Sequence, residues 1–279
     1  MPAAFVVVPQ WQASGSSRAM RLVDGAEAIR GDLPAASTIT VDVPLEAGDE
    51  LGTGVSRAGS LRLVHARTRE VLATRGGSPI VTIGGDCGVS LAAIGHANAA
   101  SGGDLAVVWL DAHPDLNTAV SSPSGCFNGM VLRALTGDGV EGLVPELPLD
   151  PARIVLAGTR SFDSGEDDYV AANGLATVGV DQLGSPEALI AAIEATGAGS
   201  VYLHIDVDVL DPGEISGLSD PVPFGLPAAG LVDLIRAVKA RYPVVGATIA
   251  EFAPASPEAA TDDLPTLLRV IGALTAGSA

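Results

Sequence analysis

Four short segments of the chain hold most of the residues able to do chemistry. They are Ile83-Gly84-Gly85-Asp86-Cys87, Trp109-Leu110-Asp111-Ala112-His113-Pro114-Asp115, His204-Ile205-Asp206-Val207-Asp208-Val209-Leu210-Asp211-Pro212 and Glu251-Phe252-Ala253-Pro254. Asp111, His113 and Asp115 alternate, so an extended backbone would put all three on one face, and Asp206 and Asp208 would share a face in the same way. Two carboxylates and an imidazole on one side suit a hard or borderline divalent cation. Either motif alone fits ordinary loop capping or an Asp-Pro turn equally well. Both closing β-branched strands of one sheet point to metal.

The charge balance argues the same way. Four unpaired aspartates at one sheet mouth cost several kcal/mol in repulsion and desolvation. Only 15 Lys and Arg serve 33 acids. Two cations sharing bridging carboxylates would neutralise the cluster and hold a water that ionises near neutral pH.

Strands and helices must bring these segments together. Short apolar runs at 5–8, 38–43, 79–83, 105–110, 153–157, 176–180, 200–209 and 244–249 read as strands. They are continuous rather than alternating, the mark of strands buried on both faces of a parallel sheet. Segments 57–74, 90–99, 185–195, 227–240 and 262–275 carry apolar residues at helical spacing. Pro186 and Pro227 sit where a first helical turn accepts proline. Eight strands alternating with helices predict an α/β fold, either a doubly wound open sheet or a (β/α)8 barrel. In both, ligands bind beyond the carboxyl ends of the strands, where 121–129 and 212–225 form polar, Gly/Pro-rich loops.

Composition narrows the function classes. The 279 residues are 47% hydrophobic with a net charge of -18. That excludes global disorder and disfavours nucleic acid and anionic membranes as partners. No apolar run reaches the roughly 18 residues of a membrane span. The start lacks the basic residues of a signal peptide. Two cysteines make no disulfide framework. The expectation is a single domain over 1–279, in the cytoplasm. Gly84-Gly85 lacks the lysine of a phosphate loop. His65 and His96 lie in helical stretches and read as packing residues. His204 shares a strand face with Asp206 and could support it from behind. Cys126 reads as a small structural residue, and Trp11 fits the pocket or the core.

The motifs and their order resemble the ureohydrolase family, the arginases and agmatinases. Its patterns are Gly-Gly-Asp-His, Asp-Ala-His-x-Asp and Asp-x-Asp-x-x-Asp-Pro, with a later glutamate, and here they span residues 83–254. The resemblance implies a three-layer α/β/α sandwich around an eight-stranded parallel sheet. It implies a dinuclear manganese site that hydrolyses guanidino groups to urea, and a trimer or hexamer. On the same basis Asp111 and Asp206 would bridge the metals, Asp115 and Cys87 would complete one ion, and His113 and Asp208 the other. Asp211 would sit behind them. Glu251 would face the guanidinium, and Asp115 would carry a proton to the leaving amine. Asn117, Ser122 and Ser124 match positions that hold an α-carboxylate in arginases. Asp163 and Glu166 match those that bind the α-amino group. A plain polar loop with a helix cap is the alternative for these two stretches.

Three residues depart from the pattern. Cys87 stands where the family has a ligating histidine. A thiolate is softer and charged, so the bound water should be less acidic and a softer metal preferred. The alternative is an inert buried cysteine with one metal weakly held or absent. Asn128 stands where arginases have a titrating histidine. General acid–base help is worth roughly 10²–10⁴-fold, so ordinary arginase activity should be poor. Asp220 replaces a threonine and adds an acceptor. A branch of the family that acts on N-hydroxylated arginine is similar in having cysteine and asparagine at these positions. An N-hydroxy group lowers guanidine basicity and lessens the need for a titrating histidine. The expected activity is therefore hydrolysis of arginine or N-hydroxyarginine to urea or hydroxyurea plus ornithine. The alternatives are an agmatinase- or formiminoglutamase-like hydrolase, and a non-catalytic member that binds amino acid.

Overall fold

A computed structural model describes residues 3–75 and 79–277. Eight strands form one sheet: β1 (Ala4–Val8), β2 (Thr38–Thr40), β3 (Ile80–Gly84), β4 (Leu105–Leu110), β5 (Ile154–Ala157), β6 (Ala176–Val178), β7 (Ser200–Asp206) and β8 (Val244–Ala250). Their order is β2-β1-β3-β8-β7-β4-β5-β6, and every pair is parallel. The end strands β2 and β6 do not meet, so the sheet is open and the barrel alternative falls.

The continuous apolar runs follow from cover on both faces. In β4, Ala106, Val108 and Leu110 enter a core with α1 (Met20–Gly31), α6 (Glu187–Ala195), α7 (Ala228–Arg241) and α8 (Pro257–Thr275). Leu105, Val107 and Trp109 enter the opposite core with α2 (Ala58–Ala73), α3 (Ser90–Ala100) and α4 (Val131–Leu135). Helix α5 (Ser164–Asn173) packs Tyr169 and Val170 against that second core. Fully burying one such aliphatic side chain is worth about 1.5–3 kcal/mol, so neither layer is dispensable. Glycine at position 25 lets α1 press on the chain after β8, since a Cβ there would lie 1.8 Å from the Phe252 carbonyl oxygen.

The structure departs from the sequence expectations in detail. Helices α1, α4 and α5 lie outside the predicted helices: α1 carries Leu22, Ala26 and Ile29 at helical spacing, a signal that sequence reasoning missed, whereas α4 is only five residues long and α5 has too little apolar periodicity to predict. Helix α8 starts at Pro257, five residues before the predicted start, and carries Pro265 within it. Strand β7 stops at Asp206, where the predicted run continued to 209, and residues Val207–Val209 form a single 3-10 turn. Among the described residues no helix is long and apolar enough to cross a membrane.

Candidate active site

The carboxyl ends of β3, β8, β7 and β4, four neighbouring central strands, open onto a cavity of about 270 Å3. It is lined by Cys87, His113, Asp115, Asn117, Ser122, Ser124, Asn128, Asp163, Glu166, Asp206, Asp208, Asp220 and Glu251. These are all the site residues expected from the sequence except Asp111, which lies fully buried. Sequence reasoning missed Ser161 and Ser219, which also line the cavity. Ser219 falls in the 212–225 loop and Ser161 two residues before Asp163, but a lone serine carries no signal of its own.

The aspartates converge through tight turns, which corrects the expectation of an extended backbone. The Asp111 Oδ1 accepts the His113 N–H at 2.6 Å, and the Asp206 Oδ1 accepts the Asp208 N–H at 2.8 Å. Each carboxylate thus binds the backbone two residues on and folds the chain at the strand end. The Asp208 Oδ1 accepts the Ala112 N–H at 3.0 Å, tying the ends of β7 and β4 together. The Trp109 indole N–H donates to Asp111 Oδ2 at 3.0 Å. The His113 Nδ1 lies 2.9 Å from Asp208 Oδ2 and 3.6 Å from Asp111 Oδ1, and its Nε2 lies 3.8 Å from Asp220.

Cys87 follows a close crossing of backbones. A Cβ at Gly85 would lie 1.9 Å from the Gln10 carbonyl oxygen, so this position has no room for a side chain. Asp86 caps the next turn, accepting from Gln10 Nε2 at 2.6 Å, Ala13 N–H at 2.8 Å and Gly88 N–H at 3.0 Å. The Cys87 thiol then sits 3.2 Å from Asp206 Oδ2, and its N–H donates to Glu251 Oε1 at 3.1 Å. Asp115 and Glu251 both hold left-handed backbone, with φ of 52° and 66°. Such strain in non-glycine residues persists only where the surroundings enforce it. Leu132 and Arg133 N–H groups donate to the Asp115 carbonyl, and the Glu251 N–H donates to Gly85.

Among the described residues seven carboxylates line the cavity, and no lysine or arginine does. Arg160 directs its guanidinium to the main-chain carbonyls of Gly158, Asp208, Val222 and Pro223 rather than to a carboxylate. Burial, reinforced by neighbouring carboxylates, pushes Asp206 and Asp115 well above the usual carboxylate range. Burial and Asp111 raise Asp208 to about 6, and burial and Asp86 raise Glu251 to about 8. Asp111 runs the other way: burial would raise it, but hydrogen bonds and charge from His113 and His204 outweigh that and hold it low.

The donor set fits divalent cations. Asp115 Oδ2 is buried with no hydrogen-bond partner, a loss of about 1–3 kcal/mol or more for a charged group left so. Three groups bring ligand atoms within 4.8 Å of one another: Asp111/His113/Asp208, Cys87/Asp206/Glu251 and Cys87/Asp111/His204.

The far wall is ordered by its own hydrogen bonds. Glu166 accepts the N–H groups of Leu116 at 2.9 Å and Asp163 at 2.8 Å, one on each oxygen. The Ser122 Oγ accepts from Gly125 and the Ser124 Oγ from Cys126, and the two hydroxyls lie 3.4 Å apart, so one proton is shared between them and the other is left to donate. One expectation changes and one alternative is decided. Asp211 does not back the cluster; its carboxylate accepts from Gly213, Phe224 and Gly225 N–H groups and shapes that loop. Trp11 does not line the cavity; it packs with Ala19, Leu22 and Ala253, under the Arg57 guanidinium.

Comparisons with known proteins agree with this geometry. An arginase of Staphylococcus aureus (strain MRSA252) is 40% identical over 159 residues, covering 53% of this chain and 51% of that one, about half its length. An N(omega)-hydroxy-L-arginine amidinohydrolase of Streptomyces lavendulae is 28% identical over 267 residues, covering 94% of this chain and 90% of its own. The arginase of Entamoeba histolytica, solved with L-ornithine, superposes with a TM-score of 0.86 at 23% identity over 98% and 97% of the two chains, a likeness of fold. A model of the arginase family matches residues 16–268, the stretch that contains every strand end at the cavity. By that match the chain belongs to the arginase family.

Proposed function

We propose that this chain is a dinuclear-metal hydrolase that cleaves the guanidino C–N bond of an arginine-like α-amino acid, with N-hydroxyarginine preferred over arginine. The observation that carries the reading is a cavity whose seven carboxylates face no lysine or arginine among the described residues. Such a pocket demands cations at both ends: metal ions at the floor, and an α-amino group at the wall formed by Asn117, Asp163 and Glu166.

When bound, two divalent ions supply an activated water and polarise the guanidino carbon. Asp111, Asp206, Cys87, Asp115, His113 and Asp208 are the side chains that would hold them, Asp111 and Asp206 being shared on the family resemblance, with Cys87 and Asp115 on one ion and His113 and Asp208 on the other. Asp115 takes the proton of the attacking water and passes it to the leaving amine. Glu251 aligns the guanidino group, held by its contact with the Cys87 N–H. Ser122 and Ser124 hydroxyls and the Asn117 amide hold the α-carboxylate, and Asp163 and Glu166 the α-amino group. Asn128 cannot titrate, so it binds rather than transfers a proton, and with Asp220 it receives the added hydroxyl. The relative matched over nearly its full length is named for N-hydroxyarginine, which favours that substrate. Cys87 favours a softer metal than manganese. The family resemblance adds a cytoplasmic homo-oligomer.

Steady-state assays test the reading. Arginine, N-hydroxyarginine, agmatine and formiminoglutamate are compared with manganese, cobalt and zinc. N-hydroxyarginine should be turned over best, releasing hydroxyurea and ornithine. A preference for arginine overturns the substrate, and activity on agmatine or formiminoglutamate alone overturns the class.

A further inference from the structure

His204 is the fourth histidine of the chain and the one deepest in the fold. It lies on β7, two residues before Asp206 and on the same face. Its ring is fully buried and stacks on Trp109, with centroids 3.5 Å apart and planes 13° from parallel. Ser90 Oγ lies 2.8 Å from its Nδ1. The other nitrogen, Nε2, faces the cavity floor, 3.5 Å from Cys87 Sγ and 3.8 Å from Asp111 Oδ2.

We infer that His204 is a metal ligand through Nε2, and that with Cys87 and Asp111 it builds a mixed sulfur, nitrogen and oxygen site at one of the two ions. The inference rests on the metallohydrolase reading above and deepens it. A cation bonded at about 2.3 Å to sulfur and about 2.0–2.1 Å to nitrogen, at a tetrahedral angle, holds those atoms about 3.5 Å apart. That is the separation found between Cys87 Sγ and His204 Nε2. Cysteine is a short side chain, so a cation bound to Cys87 sits low in the site, within reach of an imidazole one strand step below the rim. Ser90 supplies the support a ligating imidazole requires: Nδ1–H donates to its hydroxyl, which leaves the Nε2 lone pair for the metal. Trp109 fixes the plane of the ring and, through its indole N–H, the orientation of Asp111. Thiolate with imidazole selects zinc-like ions, whereas an all-carboxylate and water site suits manganese. The two ions thus differ in kind, one bound by Cys87 and His204, the other by His113 and Asp208.

Cobalt(II) reports on this directly, because a cysteine thiolate bound to cobalt absorbs in the near ultraviolet. The full chain is loaded with cobalt, its metal content is counted, and guanidino hydrolysis is measured on the same sample. The wild type should hold about two ions and show the thiolate band. The variant His204→Gln should lose the band, fall to about one ion, and need at least 100-fold more cobalt to recover the second. His113→Gln should keep the band. A His204→Gln protein that retains both ions and the band at wild-type affinity overturns the inference. Should that variant fail to fold, by circular dichroism and melting, Ser90→Ala carries the test. It leaves the ring in place and should weaken cobalt at the thiolate ion about 10–100-fold; unchanged affinity overturns the inference. A wild type that hydrolyses guanidino substrates without a thiolate band overturns this assignment alone. A wild type that binds no metal overturns the enzymatic reading with it.

Discussion

Asn117 donates its side-chain amide to Asp163 Oδ2 across 2.8 Å, joining the loop after β4 to the start of α5. The amide oxygen accepts from Ser121 Oγ at 2.9 Å, so the Asn117 side chain has one orientation. Both residues line the cavity at the end away from the metal ligands. Asp163→Asn removes a charge there and leaves a side chain of the same shape. A hydrogen bond to a charged group is worth about 1.5–3 kcal/mol, so KM for an α-amino acid substrate should rise about 10–100-fold with kcat little changed. Steady-state kinetics on N-hydroxyarginine and on its analogue without the α-amino group measure this. An equal effect on both would remove Asp163 from amine recognition.

Asn128 offers a second, opposite test, a gain of function. Its N–H is anchored to the Ala13 carbonyl at 3.2 Å, and its side chain lines the cavity. Asn128→His places a group that titrates near neutral pH where none stands now. Up to roughly 10²–10⁴-fold is available from a positioned acid or base. Hydrolysis of arginine should rise at least tenfold while that of N-hydroxyarginine rises less. The arginine rate should gain a pH dependence centred near the imidazole range. A variant equally inert on arginine would show that Asn128 is not what excludes it.

The legible part of this protein was the part encoded by residue type and order. Strand runs such as Leu105–Leu110 announced burial on both faces, and β4 indeed alternates between two cores. The aspartate motifs named the cavity floor, since few other arrangements tolerate so much buried acid. What stayed hidden was set by tertiary geometry. Asp208 shares a site with His113 because of two tight turns, a local detail that alternation does not encode. Asp211 sits in the same motif yet binds its own loop. Helix α5 opens with Ser-Gly-Glu-Asp-Asp, too polar for a periodicity signal, and is fixed instead by the Glu166 contact with the Asp163 N–H. Ser90 and Trp109 became interesting only once His204 lay between them.

Asp263 on α8 governs the cavity from a distance. Its carboxylate accepts the Ser216 N–H at 3.0 Å, the Ser216 hydroxyl at 2.9 Å and the Gly217 N–H at 2.8 Å. The Gly217 carbonyl in turn accepts the Ala253 N–H at 2.8 Å. Ser219 and Asp220 follow immediately and reach the cavity. Asp263→Ala strands these donors and frees the loop, for a loss of about 2–4 kcal/mol. The melting temperature should fall by about 5–15 °C. KM should rise more than kcat falls, because the loop positions substrate contacts rather than metal ligands. A melting temperature within 2 °C or so of wild type would refute the anchoring role.

Removing metal should reverse the usual response of a protein to acid. In the metal-free chain Asp208 is raised to about 6 and Glu251 to about 8, both by burial first and by neighbouring carboxylates second. Their ordinary values are 3.8 and 4.5. A carboxylate whose folded pKa is raised binds its proton more tightly when folded. The stabilisation this gives is full below the unfolded value and is lost as pH climbs through the folded one. The metal-free protein should therefore lose stability between about pH 4 and 8. For Asp208 alone the shift corresponds to about 3 kcal/mol, or a melting temperature lower by about 5–10 °C. Asp111 does not offset this, since its pKa is already held low and it stays ionised throughout the window. The buried His65, lowered from 6.5 to about 4 by burial and then by Arg69, opposes the loss only below about pH 6.5, so the fall is cleanest above that pH. Bound cations would keep these carboxylates ionised and flatten the curve. Melting measured from pH 5 to 9, with chelator and with cobalt, separates the two. A chelated protein whose melting temperature rises with pH would mean that the carboxylates of the cavity floor are neutralised by something other than protons or metal.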